Sequence, residues 1–171
     1  MKKKQKDLDV IGWREWVSFP ELKIKTIKAK IDTGARTSAL HVSNIKILKR
    51  TNEVKFTIHP VQRKRNPVLN STAELVGERP IKSSNGDITI RPVIKTKLKI
   101  GKRFYSIELT LVNRDLMGFR LLLGRSAIKK RYLVNSGQSF LLEKKVAIKK
   151  QKAKSKVKKK KQKSKRKRGE K

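Results

Sequence analysis

Asp32-Thr33-Gly34, followed by Ala35, is the stretch of this sequence whose residue types could do chemistry. Ile27, Ala29 and Ile31 alternate with Lys28 and Lys30 in the period-two pattern of a half-buried strand. Such a strand delivers Asp32 to the point where it opens into a turn. Thr33 can brace that turn through its hydroxyl, and Gly34 lets another backbone approach the carboxylate with no side chain between. A carboxylate held rigidly in a cleft can exchange a proton with water. The same tripeptide also reads as an ordinary turn, because Asp and Gly are common turn residues.

A second stretch points the same way. Phe119-Arg-Leu-Leu-Leu-Gly-Arg-Ser-Ala-Ile128 is an apolar run closed by Gly124 and Arg125, after which the pattern predicts a short helix through about Tyr132. With these go Ile11-Gly-Trp-Arg-Glu-Trp-Val17, the turn Ser83-Ser-Asn-Gly86, and Asn113-Arg-Asp-Leu-Met-Gly118 leading into the apolar run. Taken in order from Ile11 to Leu142, these segments resemble the retropepsin-like aspartic endopeptidases of a bacterial family earlier labelled an ATP-dependent zinc protease. That family is associated with the ligase that adds glutamates to a ribosomal protein.

The resemblance implies a retropepsin-like acid protease barrel, mainly β, with one lobe per chain. It implies that Asp32 is catalytic, with Thr33 and Gly34 shaping the turn and Arg125 structural. Peptide hydrolysis of this kind needs two carboxylates facing one water; about 3 Å apart they cannot both ionise, so the pair holds one proton. The sequence has one Asp-Thr-Gly and no internal repeat, so the resemblance implies a homodimer in which each subunit supplies one Asp32. Asp115 is an alternative second carboxylate within the same chain, although Asn113-Arg-Asp115 also reads as a plain turn. The Asn85-Gly86 hairpin between Ile81 and Ile88 is a candidate flap over substrate, with Ser84, Asn85 and Gly86 as substrate-contacting residues, or else an ordinary surface hairpin.

The elements that must position these residues read as short strands. Leu22, Ile24 and Thr26 alternate with Lys23 and Lys25 and the phase shifts at Ile27, which predicts a strand break or a bulge before the Asp32 strand. Ala39 to Leu48 reads as one strand, and Val54, Phe56 and Ile58 as another. Ile94, Thr96, Leu98 and Ile100 alternate with lysines, turn at Gly101-Lys102 and return through Tyr105, Ile107, Leu109 and Leu111. Trp13 and Trp16 are three apart, which on a short helix or turn would place both rings on one face. The sum is an antiparallel barrel or sandwich over residues 11–143, after a loosely held 1–10.

Composition bounds the partners. A net charge of +35, from 48 Lys and Arg against 13 Asp and Glu, calls for a polyanion. Residues 144–171 are nearly all Lys, Arg, Gln, Ser and Ala, a disordered basic tail suited to RNA or the ribosome through counterion release. The basic core could favour acidic peptide substrates. No cysteine, no His-Glu-x-x-His and no phosphate loop occur, and His41 and His59 are the only histidines, so no metal and no cofactor is expected. Ser38 and His41 lack a third partner for a nucleophilic triad. No run is long enough for a membrane span, and the expected location is cytoplasmic. A non-catalytic RNA- or ribosome-binding module on the same fold is the alternative function.

Overall fold

The lysine-spaced apolar residues of 94–111 fold as the hairpin their alternation predicts. In this computed structural model, which describes residues 8–61, 66–82, 86, 88–113 and 118–142, its arms are β8 (Ile88–Ile100) and β9 (Arg103–Val112). The register closes at Ile100 opposite Arg103, and Gly101 takes a positive φ of 56° in the two-residue turn. The chain-order strands before it are β1 (Asp9–Gly12), β2 (Arg14–Phe19), β3 (Ile24–Asp32), β4 (Ser38–His41), β5 (Ser43–Leu48), β6 (Glu53–Ile58) and β7 (Leu69–Lys82). After it come β10 (Leu121–Gly124), the helical turn α1 (Arg125–Ile128) and β11 (Tyr132–Asn135).

Six strands close on themselves. Hydrogen bonding runs β2-β3-β10-β4-β9-β8, and β8 returns to β2 through Val17 opposite Ile100 and Ser18 opposite Lys99. The barrel is mostly antiparallel, with parallel pairs β3–β10 and β4–β9. Its interior holds Phe19, Ile24, Ile27, Leu40, Leu98 and Leu109, each at most 1% exposed. Full burial of such a side chain contributes about 1.5–3 kcal/mol, so the alternation along each strand fixes which face turns inward.

From β8 the sheet continues outward through β7, β6 and β5 as an antiparallel extension. A 3-10 turn, Pro20–Leu22, fills the corner where β7 leaves the barrel, and there Thr96 Oγ1 and the Lys97 N–H donate to Glu21 Oε2 at 3.2 and 2.9 Å. The Ser71 hydroxyl donates to the Leu22 carbonyl at 2.9 Å. Of the strand break or bulge expected before Asp32, the structure has the bulge, within a continuous β3: the pairing steps from Val17 opposite Ile27 to Phe19 opposite Ile24, three residues of β3 against two of β2.

The two ends of the described chain are knitted together. β1 pairs in parallel with β11, the Trp13 N–H donates to the Gln138 carbonyl, and the Phe140 N–H donates to the Arg14 carbonyl. Glu15, fully buried, accepts from the Gly12 and Leu141 N–H groups at 2.7 and 2.8 Å through Oε1. Strand structure therefore starts at Asp9, inside the stretch expected to be loosely held.

Several local expectations differ from the structure. Ala39 to Leu48 is two strands, because Val42 is fully buried between β4 in the barrel and β5 at the far edge of the extension. The helix after Gly124 ends at Ile128, and Tyr132 instead begins β11, where β1 supplies a parallel partner. Trp13 lies in the bend between β1 and β2 and meets Phe119 edge-on, while Trp16 lies on β2 and stacks on Phe140. β7 has no counterpart in the alternation read from the sequence, since Gly77 and Arg79 occupy its inward phase.

Candidate active site

Asp32 ends β3 with its side chain half-buried, one residue after the buried Ile31. The loop that follows folds back on it. The Gly34 and Ala35 N–H groups each donate to Asp32 Oδ1 at 3.1 Å, and a Cβ at Gly34 would lie 3.3 Å from that oxygen. Aspartate favours this geometry because its short side chain reaches the backbone two and three residues on.

The loop's carbonyls point the other way, into β10 and α1. Arg125 Nη1 donates to the carbonyls of Thr33 and Gly34 at 2.9 and 2.8 Å. The backbone N–H groups of Arg125 and Ser126 donate to the carbonyls of Ala35 and Arg36 at 2.8 and 3.0 Å. Two consecutive residues thus engage four consecutive carbonyls, and the loop's amides are left facing the carboxylate. Gly124 sits opposite Asp32 in the β3–β10 pairing, and a Cβ there would come within 2.4 Å of the Thr37 carbonyl oxygen. Below it the fully buried Ser38 hydroxyl accepts from the Gly124 N–H at 3.1 Å, and the Thr110 hydroxyl donates to the Ser38 carbonyl at 2.9 Å.

Beside the loop lies an open cleft of about 810 Å³ lined by Gly34, Arg36, Arg79, Pro80, Ile81 and Glu108, among others. Arg79 on β7 reaches Glu108 on β9 at 2.6 Å. The hydrogen bond from Arg79, more than any other neighbour, holds the Glu108 carboxyl below its ordinary range. The hairpin expected to cover substrate is therefore present as β7 and β8, paired out to Lys82 opposite Ile88. Its β7 arm meets the cleft through Arg79, Pro80 and Ile81. Gly86 is exposed at φ 91°, while Ser84, Asn85 and Asp115 lie outside the described residues, as do residues 143–171.

Thr33, Gly34 and Arg36 are exposed. Ser38 is committed to Gly124 and buried, which removes it as a nucleophile. Among the described residues no three of His, Asp and Glu gather as a metal site, and His41 is buried in β4. Arg36, Arg79 and Glu108 carried no motif in the sequence; only the fold brings them to the cleft.

The family model described as retropepsin-like aspartic endopeptidase RimB matches residues 10–145. The chain belongs to this RimB-like family. Its relatives include two proteins named probable alpha-L-glutamate ligase. One, from Shewanella halifaxensis, is 45% identical over 135 residues, covering 78% of this chain and 30% of that protein. The other, from Desulfotalea psychrophila, is 46% identical over 128 residues, covering 74% and 28%. The chain thus spans less than a third of the length of these curated relatives. A crystal structure of a Legionella pneumophila protein of unknown function matches with a TM-score of 0.66 at 28% identity, covering 80% of this chain and 99% of that one. The RimB-like barrel is mainly β, and among the described residues no helix is long and apolar enough to cross a membrane.

Proposed function

We propose that this RimB-like protein is an aspartic endopeptidase whose dyad is formed by Asp32 of two subunits. The observation that carries the reading is the loop geometry: its carbonyls are held by Arg125 and Ser126 and its amides face Asp32 Oδ1. A carboxylate fixed in this way is placed ahead of the reaction, so little reorganisation accompanies proton transfer. With one proton between two such groups, the ionised Asp32 takes a proton from water, whose oxygen attacks the peptide carbonyl carbon. The protonated Asp32 gives its proton to the carbonyl oxygen, and collapse of the tetrahedral species passes a proton to the leaving amine.

Acidic peptides suit the cleft, because Arg36 lines it, Glu108 there is already paired to Arg79, and the relatives carry the name of a glutamate ligase. A cytoplasmic homodimer, with the basic tail holding it near RNA or ribosomes, completes this reading.

The test is Asp32→Asn against a glutamate-tailed peptide, with products read by mass spectrometry and subunit state by sedimentation. Asparagine keeps an oxygen for the Gly34 and Ala35 amides, so stability should change by less than about 1 kcal/mol while turnover falls on the order of 10⁴-fold or more. Cleavage that survives Asp32→Asn but is lost to a chelator would point to a metallopeptidase. Peptide binding with no cleavage in the wild type would leave a non-catalytic module.

A further inference from the structure

We propose that the outer barrel face across β9, β8, β2 and β3 binds single-stranded nucleic acid, independently of the peptidase reading. Residues opposite each other in antiparallel strands share a face, so Lys97 lies beside Ser106 and Lys99 beside Phe104. The same face continues through Ser18, which pairs with Lys99, to Trp16 beside Lys28 and Arg14 beside Lys30.

Aromatic rings are interleaved with this charge. Phe104 is 54% exposed, with the Lys97 ammonium 5.6 Å from its ring centre. At the other end Trp16 stacks on Phe140 at 5.4 Å, and the Lys28 ammonium lies 5.4 and 5.8 Å from the two rings. Phe104 and Trp16 are separated by two strand spacings, about 10 Å across the sheet, and by two residues, about 7 Å, along β2.

The face is not neutralised from within. Lys97 has Glu21 at 3.8 Å, and Lys95 stands opposite Glu108, which is already paired to Arg79. Among the described residues Lys28, Lys30 and Lys99 have no carboxylate in salt-bridge reach. A large ring exposed beside Lys99, which no described carboxylate compensates, fits a flat base beside a phosphate. Duplex bases present no free face to it, and an acidic peptide offers charge without a ring to stack. Residues 143–171 contain no Phe, Trp or Tyr, so an aromatic-dependent signal separates this face from the tail.

The experiment uses the full chain and an oligouridylate of about 12 nucleotides, followed by fluorescence anisotropy over a salt series. Phe104→Ala should weaken binding by about 5- to 100-fold and Phe104→Trp should restore it. Lys99→Ala should lower the salt slope by about 0.7. Ultraviolet crosslinking should join the oligonucleotide to the peptide carrying Phe104. Unchanged binding by Phe104→Ala would overturn the proposal and assign the affinity to charge alone, as would equally tight binding of a fully paired duplex. Polyglutamate binding that depends equally on Phe104 would overturn it in favour of an acidic protein partner.

Discussion

The Asp32 loop and the β7–β8 hairpin face each other across one cleft and are held in opposite ways. The loop has four successive carbonyls engaged by Arg125 and Ser126, and it crosses Gly124 closely enough to exclude a methyl group. Past the β8–β9 ladder, which ends at Val93 opposite Thr110, the hairpin's described side-chain hold on β9 is one ion pair, Arg79 to Glu108, between exposed side chains. Towards its tip Ile88 and Ile90 are 68% and 71% exposed. The contrast teaches a division of labour: the Asp32 carboxylate is fixed by backbone and buried glycine, and the hairpin beside it is weakly tied, which under the proposed peptidase reading suits a part that admits substrate.

The sharpest way to break this contrast is Gly124→Ala. The new Cβ meets the backbone of Thr37, which cannot move aside without dragging the loop, so a loss of about 3 kcal/mol or more is expected in denaturant unfolding. Arg125→Ala comes next: two carbonyls lose a charged donor but water can replace it, giving about 1–2 kcal/mol, with peptidase activity falling further than stability. Arg79→Ala should be smallest, moving the thermal midpoint by no more than about 2 °C. If Arg79→Ala proves as damaging as Gly124→Ala, the cover is not the loosely held side.

The Arg79–Glu108 pair also carries a pH signature. Glu108 is held below its ordinary value of 4.5, chiefly by the hydrogen bond from Arg79. A depressed carboxyl contributes stability that is present above its ordinary value and lost as pH falls through the lower folded value. The wild type and Arg79→Ala should therefore differ most at neutral pH and converge in acid. Unfolding curves at several pH values check this.

Much of the barrel was legible because its strands obey strict alternation. The β8–β9 hairpin and the bulge in β3 both follow from where lysine and apolar residues fall. β7 was hidden, because Ser71, Gly77 and Arg79 take the inward phase that would normally announce a strand, and Pro80 interrupts it. At the site, Asp32 stood out as a turn carboxylate. The grip on its loop did not, because Arg125 and Thr33 are 92 residues apart and nothing local in either segment names the other. Arg79 and Glu108 meet for the same reason, through strand order alone.

The joined ends of the domain have a wider consequence. With Gly12 pressed on Gln138 and β1 lying along β11, entry and exit occur side by side, on elements other than the loop that carries Asp32. A unit wired this way is portable: a longer polypeptide can be attached at either margin, or at both, without passing over the loop that holds the carboxylate.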